Sequence, residues 1–341
     1  MLRTLTATLA LAAGSTLAGP LDPTHVIPNA AFVIHVDVAH AANGPIGRMV
    51  QDHKKAFDLK DLDEVRQFGV DPFKDILSVT VSAPASNTDA GVIVVETTGA
   101  VDKLIEHLKA ESHAEPTNID GREVFSFKDG DKSKHACISR QEKTDTRLIY
   151  LSENLESLVS LLKGGDAPKL PLPTPAAGSV ISVQLVSLAG ILEHAPAKDA
   201  GPLAMLSDVQ SGWIDLGLHE ERLFLKGSVR CAAESGAIDF RDMLRGFIAM
   251  GRRIGKGNED LASISDLAAA VNVDTKGDEV RVDALWSLED LTKAIEQMKR
   301  HDSDDEDNDE DADDADKEEP HDAPPAKDPH AEVIKKKSVP Q

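Results

Sequence analysis

The chain has 341 residues and sets 59 acidic against 37 basic side chains, for a formal net charge of −22. Phosphates and anionic bilayers repel such a surface, which argues against nucleic acid and membranes as partners. Two cysteines, Cys137 and Cys231, exclude a disulfide framework and a cysteine zinc site while leaving their mutual pairing open, and an aromatic content of 4% disfavours a sugar-stacking surface.

Residues 1–18 read as a cleavable signal peptide. Arg3 supplies a positive start, and an apolar run reaches Ala13. Small residues at Thr16 and Ala18 suit the peptidase, with cleavage after Ala18. The run is about half the roughly 20 residues that a bilayer crossing needs, and no later stretch is long and apolar enough to serve. The mature product is therefore expected to be exported, periplasmic or extracellular, with no membrane insertion after cleavage.

Residues 25–163 form the first predicted domain. Val33-Ile34-His35-Val36-Asp37-Val38 alternates, placing Ile34, Val36 and Val38 on one face of a half-buried strand. Further strands are expected at 76–81, 91–96, 124–127, 135–139 and 147–151, with a helix from Val101. A closing helix begins after Asn154, whose side chain can cap a free backbone N–H. Residues 164–177, with Gly164-Gly165 and four prolines, read as a linker or an extended crossing.

Residues 178–300 repeat the pattern. Val180-Ile181-Ser182-Val183-Gln184-Leu185 matches the opening strand at an offset of 147, and Ser287-Leu288-Glu289-Asp290-Leu291 matches the closing helix Asn154-Leu155-Glu156-Ser157-Leu158. Between them come a hairpin at 213–218 and 222–230, a long helix carrying Ile238 to Ile248, and a hairpin at 269–273 and 279–285. The fold class is α+β: two tandem related repeats, each a mainly antiparallel sheet with helices packed on one face. In 301–341, thirteen acids and one lysine between Asp302 and Glu319 leave nothing to bury, so a disordered acidic and proline-rich tail is expected.

Three groups could carry chemistry. His35 and Asp37 share a strand face, with His40 just beyond, a spacing that could open a metal or proton-transfer site. Ser182 and Gln184 at the matching positions point instead to a polar, solvent-facing side of the sheet. Arg252, Arg253 and Lys256 form a basic patch for an anion. It misses the phosphate-loop pattern, with three residues between Gly251 and Gly255 and no Ser or Thr after the lysine, and it reads equally as a helix end closed by glycines. Asp304, Asp305, Glu306, Asp307, Asp309, Glu310 and Asp311 are hard oxygen ligands suited to weak divalent-cation association; the absence of glycine there rules out a calcium-binding loop of EF-hand type.

No nucleophile elbow, zinc-protease helix or cofactor motif occurs, so no cofactor is expected. The reading is an exported soluble non-catalytic protein: a binding or structural module for a macromolecule or small ligand. The alternatives are an exported hydrolase using His35 and Asp37, and a weak divalent-cation binder acting through the tail.

Overall fold

The structure, a computed structural model of the chain, describes residues 21–52, 66–111, 115–129, 132–141, 144–164, 173–188, 191, 206–257 and 262–297. The expected signal peptide and the acidic tail, with all seven of its candidate cation ligands, lie outside the described residues.

The described residues form twelve strands: β1 (Ala30–Asp37), β2 (Ile76–Pro84), β3 (Val92–Thr97), β4 (Glu115–Ile119), β5 (Arg122–Asp129), β6 (Lys132–Gln141), β7 (Thr146–Ser152), β8 (Ser179–Leu185), β9 (Val209–His219), β10 (Arg222–Cys231), β11 (Asn272–Lys276) and β12 (Glu279–Ser287). All belong to one sheet, in the order β11-β12-β10-β9-β8-β1-β2-β3-β7-β6-β5-β4. Every neighbouring pair is antiparallel. The first strand of each half lies at the centre, where β1 pairs with β8 from Phe32↔Leu185 to Val36↔Ile181. Outward from that seam, each half sets down its first, second, third, last and penultimate strands in turn; the β4–β5 hairpin extends one edge further.

Among the described residues the α-helices longer than one turn are α1 (Val38–Asn43), α2 (Pro45–Asp52), α3 (Asp102–Glu111), α4 (Leu155–Leu162), α5 (Glu234–Gly257), α6 (Ala262–Ala269) and α7 over residues 288–297. Their starts follow local chemistry. Asp37 ends β1 and caps α1 by accepting from the His40 N–H, Asn154 caps α4 through the Ser157 N–H, and Ser287 caps α7 through the Asp290 N–H.

Alternation along β1 divides the core between the two faces of the sheet. Val36 joins Val38, Val50, Val79, Val95 and Leu223 on one face, with α1 and α2 packed there. On the same face α3 buries Ile105 beside Ile149, and α5 lays Phe240, Leu244 and Ile248 over Val229, Val280 and Val282. Val33 points the other way, to Val92, Val94, Tyr150 and Cys137 beneath α4 and the segment Leu21–Ile27. Helices thus cover both faces, where the sequence pointed to one. Cys137 and Cys231 are both free and buried, in separate clusters, and burial pushes both thiols up.

Other boundaries shift for identifiable reasons. β11 begins at Asn272, because residues through Ala269 complete α6, an alanine-rich segment that favours helix. α5 continues to Gly257, so Gly251 and Gly255 lie inside the helix and do not end it. β4 escapes the sequence reading because Pro116 demotes it, yet Pro is tolerated on an edge strand. The cue was Asp120-Gly121, with φ of 50° and 80°, a favoured two-residue hairpin turn.

One ion cluster ties helix to sheet. Arg147 of β7 is buried, and it donates to Asp102 at the start of α3 with both Nε (2.9 Å) and Nη2 (2.7 Å), while Nη1 reaches Asp145 (3.2 Å). The guanidinium holds both carboxyls below the usual range. Replacing Asp102 with Asn leaves a buried guanidinium short of its bidentate partner. A loss of about 1–2 kcal/mol is expected in denaturant unfolding, more than an ordinary surface ion pair supplies.

Candidate functional site at the centre of the sheet

The face of the sheet that carries Val33 becomes polar at the seam. Cross-strand register places Thr80, His35, Ser182, Asp215, Lys226 and Asp283 side by side on β2, β1, β8, β9, β10 and β12. A parallel row runs Gln184, Trp213, Ser228 and Arg281 from β8 to β12. Neighbours in such rows stand close enough to interact directly.

Of these, His35, Ser182 and Gln184 were expected to face solvent. The structure corrects this: His35, Thr80, Ser182, Gln184 and Asp215 are buried, the last three at 2% exposure. Over β8 and β9 the segment Pro173–Gly178 crosses as a strap. Gln184 Nε2 donates to the Pro173 carbonyl (2.9 Å), and Asp215 Oδ2 accepts from the Ala176 N–H (2.7 Å). The strap descends into β8 through Gly178, whose φ of 84° and backbone approach to Leu218 leave no room for a Cβ.

The strap satisfies this floor only in part. Among the described residues, Ser182 Oγ, Gln184 Oε1 and Asp215 Oδ1 are buried with no hydrogen-bond partner. Leaving such groups unmet costs about 1–3 kcal/mol each. A cleft opens on each flank. One, of about 250 Å³, is lined by His35, Asp37, His40, Ser182 and the strap; the other, of about 260 Å³, by Pro173, Gln184, Trp213, Ser228, Arg230 and Glu279.

His35 and Asp37 of β1 and His40 of α1 therefore do line one cleft, in roles different from those foreseen. His35 Nδ1 lies 3.0 Å from Thr80 Oγ1. Asp37 is committed to capping α1, and His40 is exposed with its backbone N–H on Asp37. Among the described residues no three His, Cys, Asp or Glu side chains are grouped to hold a metal. The basic patch is dispersed. Arg252 donates to the Ala268 and Ala269 carbonyls at the end of α6, Arg253 is exposed, and the Lys256 side chain lies outside the described residues.

Sequence reasoning missed Thr80, Asp215, Trp213 and Ser228. The available signal was period-two polarity: Ser78, Thr80 and Ser82 alternate within an otherwise apolar β2, and Asp215 interrupts the apolar run of β9.

Burial pushes the carboxyls of Asp37 and Glu96 up, against the hydrogen bonds from His40 and Ser78 that favour ionisation. An acid whose folded pKa lies above its unfolded value stabilises the fold at low pH and loses that contribution as pH rises past about 4 through the raised pKa. Glu96→Gln removes the titration. Urea unfolding should show the variant gaining relative to the native chain between pH 4 and pH 7; a relative loss over that interval would reverse the assignment.

No family model and no curated protein matches the sequence. Three crystal forms of TP0453 show a loose structural likeness. Form III has a TM-score of 0.43 at 11% identity, covering 82% of this chain and 98% of that one. Form I has a TM-score of 0.37 at 13% identity, covering 81% and 96%. Form IV has a TM-score of 0.41 at 13% identity, covering 82% and 96%. So loose a likeness bears on neither partner nor activity. No helix among the described residues is long and apolar enough to cross a membrane.

Proposed function

We propose that this chain is an exported, non-catalytic binding module, and that its ligand is held on the polar face at the sheet centre. The observation that carries this reading is the buried floor of Ser182, Gln184 and Asp215 with unmet polar atoms beside two clefts. A sheet selected for stability alone would place aliphatic side chains there, since burying polar groups without partners is unfavourable. Binding surfaces commonly retain such groups at the expense of stability. The hydrolase reading draws no support from Asp37, which is spent on a helix cap.

Two related repeats, residues 25–163 and 178–300, belong to the same reading. It is supported by the shared strand order and by the seam register. His35 pairs with Ser182, the residue that the 147-residue offset assigns as its counterpart, so a local two-fold axis would pass through that pair. Export rests on the apolar run before Ala18, and weak divalent-cation association on the acidic tail.

Ser182→Ala removes an unpartnered buried hydroxyl. Thermal and denaturant unfolding should show it neutral or stabilising by up to about 1 kcal/mol. A loss of more than about 1 kcal/mol would mean that the hydroxyl serves the fold, and the binding reading would lose its main support.

A further inference from the structure

We propose that the groove across the sheet centre receives an extended, proline-containing peptide, and that the strap Pro173–Gly178 is an internal copy of that ligand. The proposal deepens the binding reading above and rests on it.

Proline fixes φ near −65° and holds the residue before it in an extended conformation, so Pro173-Thr174-Pro175 is a stiff extended run. Two of its three residues have no N–H. What such a segment offers is carbonyl oxygens and the first N–H after the second proline. The groove reads both: Gln184 donates to the Pro173 carbonyl, and Asp215 accepts from the Ala176 N–H. Recognition of extended proline-rich chains uses the same division of labour, with side-chain donors for carbonyls and aromatic walls for the rings. Trp213 stands with Pro173 in the wall of the second cleft.

The fit is incomplete in an informative way. Gln184 Oε1 and Asp215 Oδ1 are acceptors without a donor, and a strap containing two prolines has few donors to give. A ligand with an N–H or hydroxyl at those points would satisfy both side chains while keeping the two contacts already made. The clefts on either flank, of about 250 and 260 Å³, leave room for side chains that the strap's alanines and glycine lack. The partner chemistry that follows is an extended peptide with one or two prolines and flanking polar donors.

The tethered strap competes at an effective concentration in the millimolar range, so the intact chain should bind weakly. The probe is a fluorescein-labelled synthetic peptide with the sequence of residues 171–180, titrated against the full chain and against a variant with Pro173, Thr174, Pro175 and Ala176 replaced by Gly-Ser-Gly-Ser. Anisotropy should report at least about tenfold tighter binding to the variant, reversed by adding Gln184→Leu. Equal affinity for both chains, or no binding to a variant that still unfolds cooperatively, overturns the proposal. Should that variant not fold, Ala176→Pro in the intact chain replaces the N–H that Asp215 accepts from with a ring carbon and so loosens the strap at that point. It should tighten peptide binding at least about threefold, and an unchanged affinity overturns the proposal. Failure here with Ser182→Ala neutral removes the peptide and leaves the binding surface; a destabilising Ser182→Ala removes both.

Discussion

Five residue pairs between β1 and β8 turn two stretches of sequence into one sheet. Each of these strands is the first of its half, and each also pairs on its other side, with β2 and β9 respectively. The seam therefore has no free edge, and main-chain hydrogen bonding is continuous across it. It also fixes what lies on each face. A slip of one residue between β1 and β8 would leave Val36 and Ile181 out of step and break the row that joins His35 to Ser182. The apolar clusters on both faces and the polar floor that interrupts one of them depend on the same register.

The polar floor exists because both central strands carry polar residues on one side of the pleat. Such a surface left open would simply be wet. Roofed by Pro173–Gly178, it becomes a partly desolvated groove in which each hydrogen bond counts for more and each missing one costs more. The strap meets two of these groups and leaves three atoms unmet, an arrangement that a purely connective segment has no reason to create. Stability comes from elsewhere: the aliphatic face under α1, α2 and α5, and the cluster beneath α4. With that apolar burial beside and behind the floor, the centre of the sheet can retain unmet polar groups.

Much of the architecture was legible from local pattern. Alternation located most strands, since a two-residue period writes the face directly into sequence, and Asn154 and Ser287 marked helix starts through capping chemistry. The joining of the halves into one sheet was not legible, because nothing in the composition of β1 or β8 states which strand will lie beside it. The burial of His35, Ser182 and Gln184 was hidden for a related reason: alternation shows that a face is polar, but a segment outside the strand decides whether it is covered. Asp215 was overlooked because a single carboxylate in an apolar strand has no local partner, and the Ala176 N–H that it meets lies 39 residues earlier.

If the β1–β8 seam binds the halves into one cooperative unit, native-state hydrogen exchange will reveal it most directly. Amides of β1 and β8 should open only with global unfolding, at the same free energy as those of β3 and β10. Exchange of β8 to β12 at a distinctly lower free energy than β1 to β7 would show two independent lobes and contradict this account.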